Sequence, residues 1–127
     1  MTTEYSGRVL SEKLNYKPGE TLLAINALEW FVSAMTDDGI APTGKLPTDW
    51  AHAFCHNQSD LWDFLQTDLT LIEKGFWVSW PKKSSGVETD LTEQDLRDFI
   101  LPLGWVDTKV CAVDDTWSGL KFLRRKQ

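Results

Sequence analysis

The stretch FWVSWPKKSSG, at positions 76–86, decides which fold the rest of the chain must have. Its first half is aromatic and β-branched, which is typical of a strand, and its second half has the composition of a loop. A continuous apolar run of this length favours a strand that is buried on both faces, as in a parallel sheet. We therefore expect a central strand with a polar loop at its carboxyl end.

Similar strand-like runs and helical patterns alternate along the chain. The apolar runs of strand length lie at 21–25, 51–56, 76–80, 106–113 and 120–124. The apolar stripes at helical spacing lie at 28–35, 61–72 and 96–103. This alternation predicts an α/β fold: a three-layer, Rossmann-like, mainly parallel sheet of about five strands, with a C-terminal antiparallel hairpin.

Local signals predict where the helices begin and end. We expect Asn26 to cap the first long helix and Gly75 to end the second. Thr92 and Asp95 form an approximate capping box for the third helix. The stretch 36–49, rich in Asp, Gly, Pro and Thr, predicts a loop.

Charge and hydropathy argue against two classes of protein, those that bind nucleic acids and those that bind membranes. With 127 residues, 42% of them hydrophobic, the chain is expected to form a single α/β domain over residues 1–127. The net charge of −6 argues against a nucleic-acid-binding protein, which needs clustered cations. The sequence contains neither a signal peptide nor an apolar run of about 18 residues. We therefore expect a cytoplasmic protein that does not bind a membrane.

The loop after the central strand carries candidate ligand-binding groups. The ammonium groups of Lys82 and Lys83 and the hydroxyls of Ser84 and Ser85 lie where open α/β sheets bind ligands. Together they suit a small anion such as phosphate or carboxylate. The spacing is not that of a Walker motif, and a solvated polar loop is the alternative interpretation.

Asp114 and Asp115, followed closely by Trp117, form the second candidate group. Adjacent carboxylates can bind a hard cation or act as acid and base. Asp also favours turns, because its side chain accepts hydrogen bonds from its own backbone. A salt bridge from one of these carboxylates to Lys82 or Lys83 is a further interpretation.

The two histidines do not predict a metal site. His52 and His56 are four residues apart, and on a strand they would stand roughly 13 Å apart, too far to share one ion. We therefore expect no bound metal, and the spacing of the nucleophilic residues predicts no catalytic triad.

Several motifs resemble those of known families. KPGETLL at 17–23, together with the C-terminal hairpin, is similar to class I methyltransferases. YSG at 5–7, WPKKSSG at 80–86, TDLT at 89–92 and the block 110–120 resemble a bacterial family, domain of unknown function 3052. That second resemblance covers nearly the whole chain and implies no established activity.

The chain departs from the methyltransferases at the turn after the first strand. Those enzymes carry a glycine-rich turn there, so that the backbone can approach the cofactor closely. Here the turn is NALEW at 26–30, without glycine, and the chain is short for the strands that hold the adenosine ribose. The resemblance therefore implies a truncated class I methyltransferase-like fold without its cofactor site. We expect no cofactor and no binding of S-adenosylmethionine.

These observations favour a non-catalytic α/β domain that binds a small anion or a protein partner at the strand-end surface. The alternative is a small enzyme in which Asp114 or Asp115 is the base and Lys82 or Lys83 stabilises negative charge. A third interpretation is a structural interaction protein with exposed tryptophans at its interface. An enzyme needs these groups around one concave pocket, whereas a binding module presents them on a flat or convex surface.

Overall fold

Six strands form one sheet in the part of the chain that the computed structural model describes, residues 9–125. In chain order they are β1 Thr21–Ile25, β2 Ala41–Thr43, β3 Thr48–Phe54, β4 Ile72–Pro81, β5 Trp105–Ala112 and β6 Trp117–Arg124. The sheet order is β2-β1-β3-β4-β6-β5, parallel from β2 to β4. Strand β6 runs antiparallel to both β4 and β5. The predicted α/β fold with a C-terminal antiparallel hairpin is therefore confirmed.

Helices cover both faces of this sheet. They are α1 Leu10–Lys13, α2 Glu29–Asp37, α3 Gln58–Leu65 and α4 Glu93–Ile100. On the first face, α1 and α2 pack over a core that includes Phe31, Met35, Trp50 and Trp77. On the second face, α3 and α4 pack over a core that includes Leu61, Phe64, Phe76, Leu96 and Ile100. No helix within residues 9–125 is long and apolar enough to cross a bilayer.

Strand β4 contributes to both cores because its successive side chains point to opposite faces. Phe76 and Val78 lie in the α3–α4 core, whereas Trp77 lies in the α1–α2 core, and all three are fully buried. The indole Nε1 of Trp77 donates to the carbonyl oxygen of Leu14 at 3.0 Å. This bond satisfies the polar atom of a ring that otherwise contributes a large apolar area.

One strand lies inside the stretch that the sequence predicts as a loop. Strand β2 pairs in parallel with β1, so the sheet has six strands rather than about five. Only three residues long, β2 includes Pro42, which lacks a backbone donor and is tolerated at a sheet edge. So short a strand has no apolar periodicity from which it can be predicted.

Two predicted helix boundaries are wrong. The first residue of the turn after β1, Asn26, has a left-handed φ of 56°, and the helix begins after Leu28 instead. Helix α3 ends at Leu65, and a separate 3-10 turn begins after Asp68, whose side chain accepts a hydrogen bond from the backbone N–H of Thr70. Gly75, the predicted helix end, lies within β4.

The predicted capping box of α4 is confirmed. The backbone N–H of Asp95 donates to Oγ1 of Thr92 at 3.1 Å, and the N–H of Thr92 donates to Oδ2 of Asp95 at 3.0 Å. Such reciprocal bonds depend only on residues close in sequence, which is why the sequence reveals them.

We predict that Gly75→Ala destabilises the protein, because β4 and β6 leave no room for a Cβ atom at this position. That atom would lie 2.6 Å from the carbonyl oxygen of Phe122 and 3.1 Å from Cζ3 of Trp50. The free energy of unfolding should fall by about 1–3 kcal/mol, as for other overpacked sites. Urea denaturation measures this change.

Gly44→Ala is the matched control, because a Cβ at Gly44 meets nothing within 4 Å. It should change the free energy of unfolding by no more than about 0.5 kcal/mol. Equal effects of the two substitutions would contradict the close approach of β6 to β4.

Candidate functional site

The predicted candidate residues lie at the edge of the sheet where the parallel strands end. Lys82 directly follows β4, Asp114 and Asp115 lie in the turn between β5 and β6, and Trp117 begins β6. The backbone N–H of Lys82 donates to the carbonyl oxygen of Thr116 at 2.8 Å. This bond ties the loop after β4 to the hairpin turn, so the two predicted groups are neighbours.

Lys82, Asp114 and Asp115 border one concave cavity of about 700 Å³. The cavity lies between α1, α2 and the β5–β6 turn, and we call it the hairpin cavity. Its apolar lining consists of Val9, Leu10, Trp30, Ala34, Ala112 and Val113. Its charged lining consists of Lys13, Asp37, Asp38, Lys82, Asp114 and Asp115.

The remaining residues of the predicted loop lie elsewhere. Lys83 and Ser84 line a second cavity of about 530 Å³, and Lys82 borders both cavities. Ser85 serves the loop itself: its Oγ donates to the carbonyl oxygen of Lys82 at 2.6 Å and accepts from the N–H of Val87 at 3.1 Å. The structure therefore divides the four loop residues among different environments.

The two adjacent carboxylates have different surroundings. Oδ1 of Asp114 accepts from the backbone N–H groups of Thr116 and Trp117, at 2.9 and 2.8 Å, which is the turn geometry that Asp favours. Asp115 is exposed, and no side-chain hydrogen bond or ion pair within residues 9–125 involves it. The ion pairs found in that part of the chain do not join either carboxylate to Lys82 or Lys83.

Trp117 is buried, and its indole ring packs against a histidine at the same edge. The ring centroids of Trp117 and His56 are 5.0 Å apart, and Nδ1 of His56 lies 3.4 Å from Oδ2 of Asp60. His56 lies two residues beyond the end of β3, and its side chain is exposed. From the sequence, His56 is considered only as a metal ligand. Its position after a strand and four residues before an Asp is the sequence signal that places His56 at this edge.

Exposed tryptophans do not form a common patch. Of the seven tryptophans in the chain, Trp30 and Trp62 are the two with large exposed fractions, 41% and 48%. Trp30 lies on α2 and Trp62 on α3, and these helices cover opposite faces of the sheet. The structure therefore gives no support to an interface anchored by two tryptophans.

His52 lies in the core, away from this edge. Its Nδ1 is 3.0 Å from the hydroxyl oxygen of Tyr16, and its Nε2 is 2.7 Å from Oγ of Ser79. Burial lowers the pKa of His52 to about 3, so the ring is neutral, with one nitrogen donating and the other accepting. Within residues 9–125 no three His, Cys, Asp or Glu side chains are placed to hold a metal ion.

Solved structures with the same fold include methyltransferases. A protein of the NADB-Rossmann superfamily from Streptococcus agalactiae matches with a TM-score of 0.59 and 11% identity, over 100% of this chain and 71% of that one. Magnesium protoporphyrin IX methyltransferase from Synechocystis, with bound SAM (S-adenosylmethionine), matches with a TM-score of 0.58 and 10% identity, over 91% and 74%. TrmK from M. capricolum, in complex with S-adenosylhomocysteine, matches with a TM-score of 0.58 and 8% identity, over 100% and 70%. No protein-family model and no curated protein matches the sequence.

These matches confirm the methyltransferase-like fold and correct the predicted function. The expectation of a non-catalytic domain that binds a small anion or a protein partner is wrong, because the solved structures that share this fold include methyltransferases with bound SAM or S-adenosylhomocysteine. The charge of the hairpin cavity also argues against an anion. Its lining has four carboxylates against two ammonium groups.

The residues after β1 and β2 lack two features that usually hold a nucleotide cofactor there, the glycines of the turn after β1 and an acidic residue at the end of β2. Asn26 adopts the left-handed conformation that glycine usually occupies, but Ala27 and Leu28 follow with side chains that pack against the α1–α2 core. In nucleotide-binding sheets, an acidic residue about 20 residues after the glycine-rich turn binds the ribose. Here Thr43 ends β2, and its Oγ1 accepts from the N–H of Lys45.

We predict that His52 makes the stability of the protein depend on pH between 6.5 and 4.5. The unfolded chain protonates this ring near its ordinary pKa of 6.5, whereas the folded protein does so only near 3. The stabilisation is therefore complete above pH 6.5 and is lost as the pH falls, by about 1.4 kcal/mol per unit. Urea denaturation at several pH values measures the slope.

His52→Gln should flatten this slope while lowering stability at every pH, because it disturbs the contacts with Tyr16 and Ser79. His56→Gln is the control and should retain the slope, since His56 is exposed. The interval stops at pH 4.5 because most carboxyl groups bind protons below it. An unchanged slope in His52→Gln would show that another group titrates.

Proposed function

We propose that this chain is an enzyme that transfers a methyl group at the carboxyl edge of its sheet. The fold it shares with methyltransferases supports the reaction class. The observation that carries the proposal is the convergence of Lys82, Asp114 and Asp115 on one concave cavity. A flat surface would suit a binding module, whereas a cavity can surround part of a small substrate.

Asp115 is the candidate base. Its exposed carboxylate borders the hairpin cavity, and no side-chain partner within residues 9–125 occupies it. A hydroxyl or amine that accepts a methyl group loses its proton, and a carboxylate within hydrogen-bond reach can take that proton. Asp114 is a positioning residue, because its bonds to the N–H groups of Thr116 and Trp117 hold the turn that presents Asp115.

Lys82 supplies the positive charge of the proposed site. Its backbone is tied to the hairpin through Thr116, and Lys82 borders the same cavity as Asp115. An ammonium group at this position can stabilise negative charge that develops on an acceptor as it loses its proton. The roles of Lys82 and Asp115 concern only the molecule that accepts the methyl group. The turn after β1 does not supply the usual glycine-rich site for the methyl donor.

We predict that Asp115→Asn greatly slows methyl transfer without unfolding the protein. The assay follows labelled methyl groups from SAM into small-molecule, RNA and protein fractions of a heat-treated cell extract. Loss of a general base should slow the transfer about 100-fold or more. The melting temperature should stay close to that of the unsubstituted protein, because Asp115 is exposed.

Asp63→Asn is the matched control. Asp63 is an exposed carboxylate on α3, which packs on the opposite face of the sheet from α2. It should transfer label as fast as the unsubstituted protein. Absence of transfer to every fraction would refute the proposed function, and full activity in Asp115→Asn would refute the role of that carboxylate.

Several finer expectations from the sequence stay predictions. They are the resemblance to domain of unknown function 3052, a bacterial origin, a cytoplasmic location, and the absence of nucleic-acid and membrane partners. The net charge of −6 supports the expectation about nucleic acids.

A further inference from the structure

We infer that the hairpin cavity is the binding site of an organic cation with an aromatic or apolar body. SAM belongs to this class because its sulfonium group carries a positive charge. The choice of SAM as the ligand rests on the proposed function, in which SAM is the methyl donor. The ligand would then lie between α1, α2 and the β5–β6 turn, and not over the turn that follows β1. Three features of the cavity support this assignment.

The first feature is the excess of negative charge. Four carboxylates line the cavity, and the opposing ammonium groups are those of Lys13 and Lys82. Nζ of Lys13 donates to the carbonyl oxygen of Ala112 at 3.2 Å, so this charge is partly directed at the hairpin backbone. Within residues 9–125, the carboxylates of Asp37 and Asp38 have no ion-pair partner. A concave surface with a net negative charge attracts a cation and repels an anion.

The second feature is an aromatic wall. Trp30 borders the cavity and is 41% exposed, although tryptophan is the largest apolar side chain. Its ring meets the fully buried ring of Phe31 edge-on, with centroids 5.9 Å apart and planes at 84°. The contact with Phe31 holds the indole ring at the start of α2 while part of it stays exposed. Indole faces attract cations, and aromatic walls of this kind recognise onium ligands.

The third feature is the size of the cavity and its apolar lining. A volume of about 700 Å³ lies within the usual range for sites that bury a small organic ligand. Val9, Leu10, Ala34 and Val113 line it beside the charged groups. This combination suits a ligand that has both a positive charge and a nucleoside-sized apolar part, and it does not suit a bare metal ion.

Titration calorimetry with SAM and S-adenosylhomocysteine tests the inference. The two compounds share the adenosine and amino-acid parts, but only SAM has the sulfonium charge. A site that recognises the cation should bind SAM at least about 10-fold more tightly, whereas a site that recognises adenosine should bind both alike. The affinity for SAM should also fall as salt rises.

Trp30→Ala should weaken SAM binding about 10-fold or more, and Asp37→Asn should weaken it by a smaller factor. The matched control is Trp62→Ala, which removes an equally exposed tryptophan from the opposite face. It should leave the affinity unchanged. Melting temperatures show whether each variant is folded, and Trp30→Leu, which keeps most of the apolar volume, replaces Trp30→Ala if that variant unfolds.

A second matched pair of compounds tests cation binding by the cavity independently of methyl transfer. Tryptamine is an aromatic cation with no methyl group to donate, and N-acetyltryptamine is its neutral counterpart. If tryptamine binds through Trp30 and SAM does not bind, the inference stands and the proposed function fails. If SAM and S-adenosylhomocysteine bind alike and Trp30→Ala leaves both affinities unchanged, the donor lies outside the hairpin cavity and the inference is overturned. It is also overturned if neither cation binds more tightly than its neutral partner.

Discussion

The structure depends on β4, which is buried on both faces and hydrogen-bonded along both edges. It pairs in parallel with β3 and antiparallel with β6, so it joins the parallel half of the sheet to the hairpin. Phe76 and Trp77, adjacent in sequence, each occupy the centre of a different core. The loop at the end of β4 is therefore held by its strand and by the bond from Lys82 to Thr116. The wall of the hairpin cavity that Lys82 and the β5–β6 turn form therefore depends on this strand.

Sequence patterns predict the elements whose signals are local or periodic, and they miss those that depend on distant contacts. The apolar run of β4 and the capping box at Thr92 are of the first kind. Gly75 depends on a distant contact. The sequence pattern predicts a helix end there, but the structure needs glycine because Phe122 approaches from a strand far away in the sequence. The environment of His52 likewise requires Tyr16 and Ser79, which only the folded chain brings together.

The candidate site was predicted in part, for the same reason. The groups on the two loops, Lys82 and the Asp114–Asp115 pair, follow strands that the sequence predicts, and the structure places them around one cavity. The opposite wall, with Trp30 and Asp37, comes from helix α2. Its position depends on how that helix crosses the sheet, and the pattern of apolar residues shows only which face is buried. Hence the cavity's net negative charge, which decides against an anion, emerges only in three dimensions.

Lys82 borders both cavities, and its one ammonium group can lie in only one of them at a time. A ligand that attracts this ammonium group into one cavity would therefore change the electrostatic potential in the other. If a ligand in the smaller cavity draws the charge of Lys82 toward itself, the hairpin cavity becomes more negative and binds a cation more tightly. Thermodynamic linkage requires the converse: a cation in the hairpin cavity strengthens binding in the smaller one by the same factor. The two cavities are then coupled through a single flexible side chain, and no movement of the sheet is needed.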